Sequence, residues 1–383
     1  MTVSIIIPSN KRHDKLQQCL LAIGKQILLP NEVIIIFAES DRETDKMLER
    51  IGGGNPATAG MSEIIPDLSY PLHKVPIKDM SSLAIAINYG LKVAVGDIVV
   101  FTDDDAIPDS DWLLGIVNTY KQDSSIGGVG GRDIVYLLER SPRMPSGINS
   151  NPACSACPAP AVAPVVASAG EAKEIKAKKV KRVGRLTLLG RVIGNHHQIV
   201  SKAQEVNFLK GCNMSVRRKL ISLVDENILS HPRWEWDLCF QVVAKPPNAF
   251  GDKLQSRLSR LPRSGGGFGG GSGGVAQKGY KLIYDPNIQV KHFRTANKLT
   301  ARDLCFLSHN TTYILLKYLS WPRRIIFIVY TFLIGQRNDF GLVRSTLLFF
   351  SAPSMRVIDI TYTCLVGKIK GMETFFKKSA FYS

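Results

Sequence analysis

Val3–Pro8 is a short β-branched run closed by proline, and residues 13–27 after it carry Leu16, Leu20 and Ile23 at helical spacing. Residues 32–37 are again continuous and β-branched, as in a strand covered on both faces of a parallel sheet. Polar residues from Glu39 lead into a helix around residues 45–51. A Gly/Pro-rich stretch intervenes, and "SSLAIAINYGLKVAVG" reads as a helix with a serine start and Gly96 as its stop. That helix delivers the chain to a strand at residues 97–102. The alternation predicts a doubly wound, mostly parallel α/β sheet with helices on both faces, in which ligands lie beyond the carboxyl ends of the strands. "PSN", "AES" and "TDDD" each fall at such an end, which predicts one shared site.

The pattern then breaks twice. Residues 141–170 turn to Pro, Ala, Ser and Val without a period, which reads as a mobile loop or linker; "SGGGFGGGSGG" at residues 264–274 reads as a surface insertion. Between them, residues 173–191 hold eight Lys/Arg against the single acid Glu174, a basic arm that is either solvated or in contact with anionic lipid or phosphate. "WEWDLCFQVVAK" and "GYKLIYDPNIQVKH" read as helix and strand. From Arg294 onward, thirteen Lys/Arg and four acids are interleaved with apolar runs. The uninterrupted apolar segment there, residues 325–335, is shorter than the roughly twenty residues of a spanning helix. The expectation is amphipathic helices at residues 301–383 lying on a membrane, with Trp321 and the arginines at headgroup level; a buried helical subdomain is the alternative.

Bulk properties narrow the partners. The 383 residues, 45% of them hydrophobic, can bury a sizeable core, and a formal charge of +17 calls for an anionic partner: nucleic acid, an anionic membrane surface or a phosphorylated substrate. Seven cysteines in a long chain form no disulfide framework and fit a reducing compartment. Cys154 and Cys157 have no second pair at zinc spacing. "MTVSIIIPSN" opens on a strand pattern rather than a signal peptide, so the catalytic part is expected at the cytoplasmic face of the membrane, peripheral or monotopic.

Three adjacent carboxylates end the strand at residues 97–102. In extended geometry Asp103 and Asp105 share a face while Asp104 points opposite. Two carboxylates on one side grip a hard cation, and Mg2+ or Mn2+ commonly keeps substrate phosphates in its shell, so the tip suits a nucleotide diphosphate. "KGCNMS" supplies a small-residue turn: Gly211 lets the backbone lie close to a substrate and Asn213 offers an amide, unless the segment is only a tight turn.

Taken in order, "SIIIPSN", an acid after the second strand, "NYGLKVAVGDIVVFTDDDAIPDSDWL", "GCNMSVRR", "WEWDL" and "GYKLIYDPNIQVKHF" resemble a family 2 glycosyltransferase of GT-A fold over most of residues 1–295, both low-complexity insertions excluded. The resemblance implies an inverting hexosyltransferase using a nucleotide diphosphate sugar, a UDP-sugar first. Its acceptor would be a glycan or lipid-linked species of polysaccharide biosynthesis. The metal, Mg2+ or Mn2+, would sit at Asp105 with help from Asp103, and His292 is similar to a position that supplies a third metal or diphosphate contact in some members. Pro8, Ser9, Asp103 and Asp104 would meet the donor. Glu39 falls where the family contacts the base, with "AES" in place of its Asp-Asp pair. Gly211 and Asn213 fall in the acceptor or diphosphate loop. "WEWDL" aligns Glu235 with the family's catalytic Asp while Trp234 replaces its Glu; Glu235 would be the general base and Asp237 the alternative, and two residues apart on a helix only one faces the pocket. Both are otherwise helix-start acids favoured by the dipole. His196 and His197 receive no role.

The implied organisation is a nucleotide-sugar-binding half at 1–137, a flexible insertion at 138–185, an acceptor and catalytic half at 186–300 with its Gly-rich insertion near 246–277, and the C-terminal helices at 301–383. Three alternatives remain. A nucleotidyltransferase would want a Gly-rich phosphate loop after the first strand, and "PSNKRHDK" has no glycine. A nucleic-acid-binding protein would want aromatic-basic modules, and none is present, so no nucleic-acid partner is expected. A non-catalytic sugar-binding relative stays open because of Glu39 and Trp234.

Overall fold

The computed structural model describes residues 1–52, 68–138, 172–230, 233–244, 279–295, 299–337, 339–351 and 353–381. The Pro/Ala-rich segment 141–170, with Cys154 and Cys157, and the glycine-rich segment 264–274 lie outside the described residues. The first half runs β1 (Val3–Pro8), α1 (His13–Gly24), β2 (Glu32–Ala38), α2 (Arg42–Gly52), β3 (Leu72–Ile77), α3 (Leu83–Val93), β4 (Ile98–Phe101), β5 (Ala106–Pro108), α4 (Trp112–Gln122) and β6 (Ile126–Leu138). The second adds β7 (Ala172–Glu174), β8 (Arg185–Leu186), β9 (Val192–Ile193), β10 (Gln204–Val206), β11 (Met214–Arg217), α5 (Trp234–Val243) and β12 (Lys281–Thr295). It ends with α6 (Ala301–Tyr318), α7 (Trp321–Leu333), a hairpin of β13 (Gly335–Gln336) and β14 (Asp339–Phe340), α8 (Leu342–Ser351) and α9 (Met355–Phe381).

One sheet runs β10-β12-β6-β11-β4-β1-β2-β3. Along β1 successive side chains alternate between two cores, as the pleat requires: Ile5 and Ile7 pack with Leu16, Leu20, Met47 and Trp112 of α1, α2 and α4, while Ile6 joins Ile87, Leu91, Trp236 and Leu315 of α3, α5 and α6. Helices therefore cover both faces. β4, β1, β2 and β3 are parallel, but β11 runs antiparallel to both β4 and β6. Since β11 opposes both β4 and β6, and β12 is parallel to β6, the strands β1, β2, β3, β4, β6 and β12 all point one way with β10 and β11 against them, so the sheet is mostly parallel as expected, with reversed members that period-two burial cannot announce. β3 is a solvated edge that tolerates Pro76, which disguised it in the sequence. Ser82 caps α3, its hydroxyl accepting from the Ala84 N–H at 3.3 Å. The helix stops at Val93, and Gly96 instead donates its N–H to Ser4 Oγ at 2.8 Å.

At the C-terminus, Thr300 and Asp303 form a capping box that starts α6. Its residues 308–316 are buried against the sheet domain and α9. Gly367 and Gly371 let α9 approach closely: a Cβ on either would fall 2.4 Å from the Cys305 carbonyl oxygen or 2.6 Å from that of His309. Among the described residues no helix is long and apolar enough to cross a membrane. The buried-subdomain alternative therefore describes α6, whereas α7, α8 and α9 leave large apolar side chains exposed, with Trp321 at 69% and Phe350 at 78%.

Candidate active site

The carboxylate triplet forms a turn, closed by the Ala106 N–H on the Asp103 carbonyl at 3.1 Å, rather than a continued extended strand. β5 then pairs with β12, and the Phe293 N–H donates to the Asp105 carbonyl at 2.9 Å, which sets His292 beside the triplet. His292 Nε2 lies 3.0 Å from Asp105 Oδ1 and 3.5 Å from Asp103 Oδ2. Asp104 turns inward, where Ser9 Oγ donates to it at 2.8 Å and Arg12 pairs with it at 2.9 Å. Burial, opposed by Arg12, pushes the Asp104 carboxyl up to about 7. Burial also disfavours the Asp105 anion, but His292, Arg12 and Lys15 together hold its carboxyl well below the usual range. Burial would lower the His292 imidazole, yet Cys212, Asp105 and Asp103 raise it to about 9.

Behind this cluster, fully buried Asp133 accepts from His292 Nδ1 at 3.1 Å and forms an ion pair with Lys210. Lys210 stands in the turn before β11, whose Asn213 N–H donates back to the Lys210 carbonyl at 2.9 Å. Cys212, in the same turn, is fixed where Thr102 Oγ1 donates to its carbonyl at 3.0 Å. One ligating atom each from Asp103, Cys212 and His292 lie within 4.8 Å of one another.

Glu235 opens α5. Burial pushes its carboxyl up, and among its charged neighbours Arg233 and Lys210 oppose the rise while Asp103 adds to it. Lys210 responds to Asp103 and Glu235 alike, so the three charges share one electrostatic neighbourhood. Asp237 does not join them. A two-residue step rotates it roughly 200° around the helix, into the joint with α6, where Lys317 Nζ at 2.7 Å and Tyr318 OH at 2.8 Å donate to one oxygen and the Asp225 N–H and Gln241 amide to the other. This corrects its reading as the alternative base: the carboxylate is fully occupied and has no exposed surface. Asp237→Ala leaves Lys317 poorly paired and should cost roughly 3–5 kcal/mol of stability; a lower denaturation midpoint with unchanged turnover per folded molecule is the expected result. A midpoint matching the parent protein would refute this role.

Asn213 is also structural. Its Oδ1 accepts from Trp112 Nε1 at 2.9 Å and its Nδ2 donates to the Arg132 and Ile288 carbonyls, both at 3.0 Å, so no part of the amide is left for a substrate. At Gly211 a Cβ would stand 2.7 Å from the Trp234 ring, so this glycine admits the tryptophan rather than a ligand. Pro8 is buried at the end of β1, and the Ser9 hydroxyl is committed to Asp104. Glu39 is exposed beyond β2, its N–H donating to the Ile77 carbonyl at 3.0 Å. His196 is a core residue whose imidazole burial lowers to about 4. His197 is held below its ordinary range by burial and by Arg337, Arg132 and Arg294.

Sequence reasoning passed over Arg12, Asp133, Lys210 and Cys212. Asp133 alone left a signal, an acid inside an otherwise apolar run, "GGRDIVYLL".

Residues 4–155 match the Glycosyl transferase family 2 profile. A curated relative, the glucosyl-dolichyl phosphate glucuronosyltransferase of Haloferax volcanii, is 23% identical over 144 residues, 37% of this chain and 41% of that protein, so the match spans about two fifths of the relative's length. The crystal structure of GalNAc-T7 with UDP, GalNAc and Mn2+ superposes with a TM-score of 0.50 at 9% identity, covering 82% of this chain and 48% of that one. The mannosyltransferase PcManGT of Pyrobaculum calidifontis, in complex with GDP-Man and Mn2+, gives 0.46 at 15% identity over 98% of this chain and 86% of its own. The chain thus matches the glycosyl transferase family 2 model over residues 4–155, and its large mixed α/β sheet resembles those of GT-A glycosyltransferases.

Proposed function

We propose that the chain is a metal-dependent inverting glycosyltransferase, moving a hexose from a nucleotide diphosphate sugar, a UDP-sugar first, to a glycan or lipid-linked acceptor at a membrane surface. The observation that carries this reading is the convergence of Asp103 and Asp105 on His292 Nε2, at 3.5 and 3.0 Å, with Asp133 and its Lys210 partner behind them. Two carboxylates and an imidazole suit Mg2+ or Mn2+. Such a cation would offset the charge that develops on the leaving diphosphate. Lys210, its charge balanced by Asp133 and its ammonium disfavoured by burial, lies behind the cluster. Burial makes Glu235 a stronger base than a solvated glutamate, suited to take the acceptor hydroxyl's proton as that oxygen bonds to the anomeric carbon. The bond to the diphosphate breaks with its electron pair leaving on the phosphate oxygen, and the anomeric centre inverts. Glu39, exposed beyond β2, would meet the base, and the β1 tip at Pro8 and Ser9 would back the nucleotide, Ser9 by holding Asp104.

The exposed apolar side chains of α7 to α9, among basic residues such as Arg323, Arg324, Arg344 and Arg356, support a peripheral or monotopic position on the cytoplasmic face, where anionic lipid adds attraction. A panel of UDP- and GDP-sugars with Mn2+, read by calorimetric binding and by hydrolysis, tests the enzyme reading. At least one donor is expected to bind and turn over; failure of every donor to bind overturns it. Co-sedimentation with phosphatidylglycerol vesicles that weakens with salt tests the membrane part, and equal recovery with and without vesicles rejects that part alone.

A further inference from the structure

We propose that Cys212 is a ligand of the metal this site holds, so that Asp103, Cys212 and His292 together form a mixed oxygen, sulfur and nitrogen site that favours borderline and soft divalent cations over Mg2+. The inference rests on the metal-dependent reading above and specifies its donor set. Asp103, Cys212 and His292 are the one group of three potential ligands found within 4.8 Å of one another among the described residues.

Each donor is prearranged by different parts of the fold. Cys212 rides on the turn closed by the Asn213 N–H on the Lys210 carbonyl, and that turn is held to β4 through Thr102 Oγ1 and to α4 through the Asn213–Trp112 bond. The backbone that carries the sulfur is therefore fixed, and a single side-chain torsion separates it from the thiol. His292 Nδ1 is engaged by buried Asp133, the arrangement in which a carboxylate orients a metal-bound imidazole, so Nε2, which meets Asp105 and Asp103, is the nitrogen that would exchange the Asp105 contact for the cation. Asp103 is a third exposed and, among the described residues, meets only His292 within ion-pair distance, whereas the second oxygen of Asp105 is taken by Arg12 at 2.9 Å and Lys15 at 3.6 Å. Asp103 is thus the more available carboxylate.

On coordination the thiol proton passes to solvent and the thiolate lone pair forms the bond to the metal. A thiolate donor raises affinity in the order Mg2+, Mn2+, then Zn2+ and Cd2+, while an all-oxygen and imidazole site would discriminate less steeply. Cys212 is buried.

The test uses the full chain with Cys154→Ser and Cys157→Ser already introduced, which removes the paired thiols as competitors. Cd2+ is titrated and the ultraviolet charge-transfer band of a cadmium–sulfur bond is followed; Cys212→Ser and Cys212→Ala are compared after circular dichroism shows that each is folded. The expected result is a saturable band lost in both variants, Cd2+ affinity lower by roughly tenfold or more, and Mg2+ affinity unchanged within about threefold. Two folded variants guard against a local packing defect in either one. A parent protein that binds Cd2+ and Mn2+ without the band, or variants that keep it, overturns the thiolate assignment and leaves the glycosyltransferase reading standing. A parent protein that binds no divalent cation overturns both.

Discussion

Glu235→Gln lowers turnover by about 10²–10⁴-fold and leaves nucleotide-sugar binding within about twofold, the signature of a lost general base at a site that still assembles. The substitution preserves shape and removes only the ability to accept a proton. The effect is pH-coded as well. Burial, reinforced by the negative charge of Asp103, holds the Glu235 carboxyl above its ordinary value, so the acid limb of the turnover profile lies above the roughly 4.3 of a solvated glutamate. Since turnover needs the anion, activity rises with pH through that limb and fails below it, and a cation bound at Asp103 moves the limb downward by cancelling part of the push. Single-turnover rates across pH, with donor affinity measured in parallel, decide the matter; a glutamine variant that turns over like the parent removes Glu235 from the chemistry.

The second large effect is at the carboxylate turn. Asp103→Ala abolishes Mn2+-dependent donor binding, a loss larger than the roughly 10–100-fold that removal of an outer-sphere partner costs, while the thermal midpoint barely moves because the side chain is a third exposed. Asp105→Ala should also weaken the cation, but it removes one of Arg12's two carboxylate partners, the carboxylate of Lys15 and a carboxylate contact of His292, so a lower midpoint accompanies the loss. Mn2+ paramagnetic resonance titrations beside thermal melts separate the two variants. Undiminished Mn2+ binding in Asp103→Ala contradicts the assignment.

The strand-helix alternation of the first hundred residues was legible because it is written in local periodicity: Ile5, Ile6 and Ile7 announce a doubly covered strand, and Leu16, Leu20 and Ile23 a helix against it. The polar tips and the triplet were legible for the same reason. β6 was not, since its glycines mask a thirteen-residue strand, nor was the reversed direction of β11. The charges that dress the site were hidden by distance along the chain, Arg12 meeting Asp105 across 93 residues and Asp133 meeting His292 across 159. No spacing rule reaches that far. Asn213 and Asp237 were misjudged in the opposite sense: a polar side chain beside a motif looks available until its partners, Trp112 or Lys317, are seen to fill its valences.

Because β11 runs back along β4 with Met214 opposite Phe101, the triplet and the cysteine turn are zipped together by a ladder that lies wholly inside the sheet. A substitution that loosens this ladder therefore moves the carboxylates and the thiol together, so the donor atoms keep a common register or lose it as a unit.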